Sequence, residues 1–274
     1  MLPDVSPLKL VVDGGIAYLE LDHGKANEMG RAEVCAFERL VIWLEGGNAR
    51  ALVTYSRRVT ARGSSVFISG ANVTERGPWS TQEVKSHVRY QRITLARLRR
   101  APVFHVAVVD GLALGWGTEF LLCCDWRIAG PNARFGLPET GLGIVPGAGG
   151  ASELPGLVGL THALRLGLTG EQIDAAEALR IGLVDERCEG VDAGLDRARA
   201  LAALVARRSP TAVAAYKAAA IAGLGRSEDE RRAAEASAYE HCVDSGEAAV
   251  GRASFSGILA GETPAWGPFK GWRP

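Results

Sequence analysis

The chain lacks an excess of either charge, and it lacks any long apolar run. Its 274 residues carry 31 basic and 31 acidic side chains, so no overall positive charge is present to attract nucleic acid. No stretch approaches the roughly 20 apolar residues that cross a bilayer, and the first ten residues lack the basic and apolar regions of a secretion signal. These absences predict a cytoplasmic protein without membrane or nucleic-acid partners.

Metal-binding and disulfide patterns are also missing. The five cysteines show no CxxC or Cys/His ligand spacing, and their odd number argues against a disulfide framework. The five histidines show no HExxH or comparable spacing. We therefore predict neither a metal site nor structural disulfides.

One nucleotide-binding motif is approached but not completed, and two other common motifs are absent. Gly115-Trp116-Gly117 is followed by Phe120 where a dinucleotide fingerprint needs its third glycine. The phosphate-loop pattern GxxxxGK[ST] and the nucleophile-elbow pattern GxSxG do not occur. Nucleotide binding and serine-type catalysis are therefore not indicated.

Hydrophobic periodicity divides the chain into an α/β part and a helical part. Buried β-branched runs alternate with amphipathic patterns up to about residue 190, and alanine-rich helical patterns follow. The predicted strands are 8–12, 16–21, 51–55, 66–69 and 105–109, with a late strand at 183–187. The predicted helices are 34–44, 81–100, 117–124, 160–168, 174–180, 195–208, 211–224 and 228–243. We predict an α/β core domain over residues 1–195 and a C-terminal helical extension over residues 196–274.

The predicted helix over 81–100 carries a run of arginines with two possible roles. They are Arg89, Arg92, Arg97, Arg99 and Arg100. They could form an anion-binding face, or they could be the solvated surface of an amphipathic helix, which is the commoner case.

The stretch from His105 to Gly150 holds two carboxylates near a glycine turn. Glu119 lies in the first turn of a predicted apolar helix, and Glu139 follows Pro138 in a loop. A lone glutamate in such a place is usually a cap, but two that meet across a pocket can share general acid and base work. Glycine turns follow two predicted strands, at 69–72 and 115–117. Each could present a backbone N–H to one carbonyl oxygen, as an oxyanion hole does.

Four segments in order resemble the crotonase superfamily of enoyl-CoA hydratases and isomerases. They are FISGANV (67–73), HVAVVDGLALGWGTEFLLCCDWRIAG (105–130), ARFGLPETGLGIVPGAGG (133–150) and LTGEQIDAAEALRIGLVDE (168–186). The resemblance covers the chain from about Leu8 to Phe255. It implies an α/β fold with a repeated ββα spiral core and a C-terminal helical trimerisation region. It also implies a homotrimer or dimer of trimers and an acyl-CoA thioester substrate, with no cofactor besides the CoA of that substrate.

The resemblance also implies roles for particular residues. By motif position, the backbone N–H groups of Ala71 and Trp116 would form the oxyanion hole, and Glu119 and Glu139 would be the catalytic pair. The pair would deprotonate a water that attacks the β-carbon, and Glu139 would deliver a proton to the α-carbon. Contacts with CoA or substrate are implied at Lys25, Ala26, Ser69, Gly70, Asn72, Gly115, Pro138 and Gly147.

Three features depart from the family pattern. Trp116 stands where glycine is usual, and its indole either narrows the acyl pocket, as we expect, or turns into the protein. Asn72 replaces an aspartate, which mainly affects local capping. The C-terminal segment lacks the basic run that often contacts CoA phosphates, so that contact is either lost or moved to Lys25, Arg58 or Lys270.

Retention of both glutamates favours an enoyl-CoA hydratase. An isomerase, a decarboxylase or another biosynthetic acyl-CoA lyase of the same fold is the alternative. An RNA-binding homologue that uses the arginine face is less consistent with zero net charge.

Overall fold

The computed structural model describes residues 1–272, which form ten strands and twelve α-helices. The strands are β1 (Lys9–Asp13), β2 (Ile16–Glu20), β3 (Ala51–Tyr55), β4 (Val66–Ile68), β5 (Phe104–Val109), β6 (Leu112–Leu114), β7 (Trp126–Ala129), β8 (Arg134–Gly136), β9 (Ile173–Asp174) and β10 (Glu186–Arg187). The helices are α1 (Arg31–Glu45), α2 (Val73–Arg76), α3 (Thr81–Arg100), α4 (Trp116–Leu121), α5 (Leu154–Val158), α6 (Leu160–Thr169), α7 (Ala175–Arg180), α8 (Val191–Ala206), α9 (Pro210–Ala222), α10 (Glu228–Asp244), α11 (Glu247–Ala253) and α12 (Phe255–Leu259), with a 3₁₀ helix at Pro138–Leu142.

Two sheets share these strands. The larger sheet has the order β1-β2-β3-β5-β7-β10, and the smaller has the order β4-β6-β8-β9. The β1–β2 hairpin is antiparallel, as predicted, and the larger sheet is parallel from β2 onward. In three successive units the first strand joins the larger sheet and the second joins the smaller, which confirms the repeated ββα core.

Most of the hydrophobic core lies between the two sheets and the helices that face them. Phe37 of α1, Phe120 of α4 and Phe135 of β8 are fully buried there. A second cluster lies on the other side of the larger sheet, where Leu195 and Ala198 of α8 pack against its valines and isoleucines. The proposed division at residue 195 falls inside α8, which packs against β3, β5 and β7. That division stays a prediction.

The structure differs from the sequence predictions mainly in its shortest elements. Strands β6, β7 and β8 have three or four residues each and were not predicted, because so short a run shows no clear alternation. The late strand expected at 183–187 is only Glu186–Arg187, since the preceding Leu183 and Val184 follow α7 in a turn. The helix expected at 117–124 is α4, at 116–121. None of the helices formed by residues 1–272 combines the length and apolar character that a bilayer crossing requires.

Candidate active site

Three parallel strands of the smaller sheet end at one edge and deliver the predicted site residues there. Ile68 of β4 pairs with Ala113 of β6, and Ala113 pairs with Phe135 of β8. Three residues further along each strand stand Ala71, Trp116 and Pro138. Because paired parallel strands run in step, the three turns leave the sheet side by side. The short strands therefore bring segments far apart in sequence into one site.

Among residues 1–272, the backbone N–H groups of Ala71 and Trp116 both lack a hydrogen-bond acceptor. Met29 pairs with the turn on one side, because its N–H donates to the Gly70 oxygen at 2.9 Å and its oxygen accepts from the Asn72 N–H at 2.9 Å. The Ala71 N–H therefore points to the opposite side. Trp116 is the first residue of α4, where an N–H has no intrahelical partner. Within residues 1–272 neither amide donates a hydrogen bond.

Only glycine fits the backbone conformation and the close surroundings at position 115. Its φ is +52°, and a Cβ added there would lie 2.7 Å from Oε1 of Glu139. The close approach places the Glu139 carboxyl directly beside the turn that carries the Trp116 amide.

Glu119 is buried, with 3% of its surface exposed. Its Oε1 accepts hydrogen bonds from the backbone N–H of Ala148 at 2.7 Å and of Gly150 at 2.9 Å. Burial raises the pKa of Glu119, and these two N–H groups with the charges of Arg92 and Arg76 oppose the rise. The carboxyl group is thus held rigidly between α4 and the 147–150 loop.

Glu139 lies in the 3₁₀ helix and is half-buried. Burial raises its pKa to about 7, and the negative charge of Glu119 adds to the rise. Its Oε2 is buried and has no hydrogen-bond partner among the residues described. A carboxyl group in this state can give or take a proton near neutral pH.

Nine of the predicted site residues line one cavity of about 680 Å³. They are Ser69, Gly70, Ala71, Gly115, Trp116, Glu119, Pro138, Glu139 and Gly147. The structure therefore brings together both glutamates and both unbonded amides. No cluster of three or more His, Cys, Asp or Glu side chains suited to a metal ion occurs within residues 1–272.

Three predicted contact residues lie outside the cavity lining. The Ala26 oxygen accepts from the Ser69 N–H at 3.2 Å, so Lys25 and Ala26 lie beside the turn that carries Ala71. Asn72 caps α2, because its Oδ1 accepts from the Glu75 N–H at 3.0 Å. This is the local capping expected for it.

Two of the three basic residues considered for the CoA phosphates are engaged within the chain. Arg58 forms an ion pair with Asp22 at 2.9 Å, and Lys270 Nζ donates to the Ser245 oxygen at 2.6 Å. The exposed Lys25 makes no side-chain hydrogen bond within residues 1–272. Lys25 is therefore the candidate for a phosphate contact that the structure leaves available.

The expectation that the Trp116 indole narrows the pocket is wrong. The residue is 3% exposed, and its ring stacks on Phe120 with 5.8 Å between centroids and 29° between planes. It also packs at 5.8 Å against Phe37. Apolar contact with these two rings holds the indole in the core, and the residue also borders the cavity.

The cavity also contains polar residues that the sequence prediction did not place there. Arg76, Lys85, Arg89, Gln91 and Arg92 line it. Arg76 lies in the four-residue α2, which has no periodic signal, and Gln91 is an ordinary helical residue in sequence. Arg92 belongs to the arginine run of α3, for which the solvated interpretation was favoured. The helical period of that run could have indicated this placement, because it puts Val88, Gln91 and Arg92 on one face of α3.

Comparison with known proteins agrees with this arrangement of strands and turns. A sequence model of the enoyl-CoA hydratase/isomerase family matches residues 57–259. A crotonyl-CoA hydratase of Syntrophomonas wolfei is 36% identical over 199 residues, covering 72% of this chain and 75% of that protein. A short-chain-enoyl-CoA hydratase of Clostridium acetobutylicum is 38% identical over 184 residues, covering 67% of this chain and 70% of that protein. This chain spans 63% to 75% of the length of four such relatives.

A solved structure shows the same fold. The enoyl-CoA hydratase of Bacillus anthracis superposes with a TM-score of 0.85 and 29% sequence identity, covering 94% of this chain and 98% of that one. The fold and the site thus define a crotonase-like α/β protein. The chain belongs to the enoyl-CoA hydratase/isomerase family.

Proposed function

We propose that this protein is an enoyl-CoA hydratase, a lyase that adds water reversibly to the α,β-double bond of an acyl-CoA thioester. The observation that carries the proposal is the convergence of two glutamates and two unbonded amides on one cavity. An isomerase needs a proton moved along the acyl chain, whereas hydration needs water held and deprotonated while a second group supplies a proton. Two carboxyl groups with different surroundings suit the second task.

The thioester carbonyl would accept hydrogen bonds from the Ala71 and Trp116 N–H groups. Electron density that leaves the double bond during attack then collects on this oxygen as an enolate. Fixed donors stabilise that charge without reorganising, and removing one such donor typically costs about 100- to 1000-fold in rate. The reaction needs no cofactor besides the CoA that the substrate carries.

Glu119 and Glu139 would divide the proton transfers. The ionised Glu119, oriented by Ala148 and Gly150, takes a proton from a water molecule as the water oxygen bonds to the β-carbon. The protonated Glu139, with its pKa of about 7, gives its proton to the α-carbon as the enolate collapses. One water is consumed, and one C–O and one C–H bond form. Return of the proton from Glu119 to Glu139 through solvent completes the cycle.

The test follows loss of the conjugated-enoyl absorbance of crotonyl-CoA, with the product analysed by mass spectrometry. The wild type should form a product heavier by one water, and Glu139→Gln should lower kcat by about 100- to 10,000-fold while acetyl-CoA binding is unchanged. Glu235→Gln, the same change at an exposed glutamate of α10, is the matched control. A product of unchanged mass with a shifted double bond would assign the protein as an isomerase. Full activity of Glu139→Gln would show that this carboxyl group is structural.

A further inference from the structure

The wall of the cavity next to Glu119 carries positive side chains. Four positive side chains line it together with Gln91, namely Arg76 from α2 and Lys85, Arg89 and Arg92 from α3, and Val84 and Val88 provide the apolar surface beside them. An acyl chain of carbon and hydrogen alone would gain from apolar lining but not from guanidinium groups. The positive wall therefore needs an explanation that a simple enoyl chain does not supply.

Neither Arg76 nor Arg92 forms an ion pair with another residue of the described chain. Arg76 Nη2 donates to Oε1 of Gln91 at 3.2 Å, and Arg92 Nε donates to the Gly147 oxygen at 2.9 Å. Two other arginines of α3 do have acidic partners, since Arg97 pairs with Glu45 at 2.7 Å and Arg99 pairs with Glu153, whereas Arg89 and Arg100 have none within residues 1–272. Arg76 is half-buried, so its charge is partly removed from water, and burial lowers its pKa.

Gln91 provides an independent observation. It is 2% exposed, it lines the cavity, and its Nε2 has no hydrogen-bond partner among the described residues. The side-chain amide is oriented by Arg76, which must donate to its oxygen, so the NH₂ group faces elsewhere. A buried donor without an acceptor is costly, and a ligand oxygen in the cavity would satisfy it.

The position of these groups relative to the reacting atoms indicates which part of the substrate they meet. The two amides hold the thioester carbonyl, and Glu119 acts at the β-carbon. Arg92 holds the Gly147 oxygen, and the next residue, Ala148, donates to Glu119. Arg76 and Arg92 are also the charged groups that act on the Glu119 carboxyl. They therefore lie on the Glu119 side of the carbonyl, where the acyl chain continues beyond the β-carbon.

We propose that the substrate acyl group ends in a carboxylate, which Arg76 and Arg92 bind through charge-assisted hydrogen bonds with Gln91 as an additional donor. The inference rests on the proposed function, because it uses the thioester position to orient the acyl chain. Guanidinium groups suit this ligand, since they present several donors in a plane that matches a carboxylate.

The test compares two saturated ligands that cannot be hydrated. One is 4-carboxybutanoyl-CoA, and the other is its neutral amide, 4-carbamoylbutanoyl-CoA, which has nearly the same shape. Titration calorimetry on the wild type should give a Kd about 10- to 100-fold lower for the carboxylate. Arg92→Gln, at an exposed position, and the double variant with Arg76→Gln should bring the ratio of the two Kd values close to one. Arg92→Lys should retain part of it. Arg100→Gln, on the same helix but outside this cavity, is the matched control and should keep the ratio.

Three results would overturn the inference. One is equal or weaker binding of the carboxylate by the wild type. Another is an equal loss for both ligands and for acetyl-CoA in Arg92→Gln, which would assign the arginines to the CoA phosphates. The last is found when the arginine variants keep the wild-type ratio of the two Kd values but hydrate the unsaturated forms of both ligands with an equally lowered kcat. This result would mean that the arginines act only on Glu119. If the unsaturated forms are not hydrated while the carboxylate preference is present, the hydratase proposal fails and the carboxylate site stands.

Discussion

The carboxyl group of Glu139 lies between two influences that both favour its neutral form. Partial burial removes water from it, and the nearby Glu119 opposes a second negative charge. Backbone N–H groups stabilise the ionised form of Glu119, whereas Oε2 of Glu139 has no such donor. The two carboxyl groups therefore titrate as a coupled pair, in which burial and the charge of Glu119 raise the pKa of Glu139 to about 7.

This difference predicts the pH dependence of hydration. The folded pKa of Glu139 is raised to about 7, so the protonated form that donates to the α-carbon is present below that pH and is lost above it. We expect kcat/KM for hydration to fall about tenfold per pH unit well above pH 7. It should also fall at acid pH as Glu119 becomes protonated, above the usual range of a glutamate, because burial raises its pKa. A profile of initial rates between pH 4 and pH 9 measures both limbs. A rate that stays constant from pH 6 to pH 9 would contradict this assignment of the proton donor.

Trp116 combines a functional backbone with a side chain that packs in the core. Its Nε1 is buried without a hydrogen-bond partner among the described residues, while the ring stacks on Phe120. Trp116→Phe removes that unsatisfied donor and part of the apolar contact, two effects of opposite sign. We expect the free energy of unfolding to change by less than about 1.5 kcal/mol, and Trp116→Ala to lose about 3–5 kcal/mol.

Urea denaturation of both variants measures the difference. Hydration of crotonyl-CoA by Trp116→Phe should stay within a few fold of the wild type, because the backbone N–H is retained. A large loss of activity without a loss of stability would show that the indole itself contacts the substrate.

At the scale of elements, the site depends on how closely α4 approaches β4. A Cβ added to Gly117 would lie 2.3 Å from the Ile68 oxygen, so only glycine allows this distance. The contact sets the position of the Trp116 amide relative to the turn that follows β4. The glycine is therefore required by packing, although α4 would otherwise favour alanine.

Gly117→Ala should destabilise the protein by about 1–3 kcal/mol and lower kcat, since α4 must move away from β4. Gly167→Ala is the matched control, because Gly167 is also helical and an added Cβ meets nothing within 4 Å. That change should raise stability by up to about 1 kcal/mol and leave kcat unaltered. Thermal unfolding and steady-state rates measure both effects. Equal behaviour of the two variants would mean that the short Gly117 contact is relieved without moving α4.

The elements that the sequence predicted are those with a clear period or a clear boundary. Helix α3 matches its predicted range of 81–100, because its capping serine and the break before Pro102 define its ends. Strands β6 and β8 were missed, and their register is what brings Glu139 beside Gly115. Motif resemblance predicted the glutamates and amides. It did not predict Arg76 or Gln91, since their place at the cavity depends on how α2 and α3 pack.

At the scale of the whole molecule, the C-terminal helices are fixed to the core by polar contacts. Lys217 of α9 donates to the Asp125 carboxylate at 2.6 Å and to the Val103 oxygen at 2.9 Å. The same Asp125 oxygen accepts from the His105 N–H at the start of β5. This arrangement orients the helices of the C-terminal extension relative to the site, and several of their large apolar side chains remain exposed.

Helix α6 carries a further exposed apolar stripe. Leu160, Leu164 and Leu168 are exposed and four residues apart, so they share one face. Contiguous exposed apolar patches often mark protein–protein interfaces. The helix also contacts the 3₁₀ helix that carries Glu139, because Thr140 Oγ1 donates to the Gly167 oxygen at 3.0 Å. An interface on α6 would therefore support the loop of the proposed proton donor.

The family resemblance implies three or six copies that assemble through the C-terminal helices, and we predict that the α6 stripe also takes part in this interface. Sedimentation equilibrium should give three or six times the protomer mass of 29.0 kDa. Leu164→Glu places a charge in the stripe and should shift the mass toward one protomer, with kcat falling as the 3₁₀ helix loses its support. Val11→Glu is the matched control, because Val11 is an isolated exposed residue of β1 and should leave the mass unchanged. A wild-type mass of one protomer would refute the assembly. Burying a glutamate against leucines without a partner would not leave the assembly intact. An unchanged mass for Leu164→Glu would therefore place the interface elsewhere, and the exposed apolar residues of the C-terminal helices would be the remaining surface.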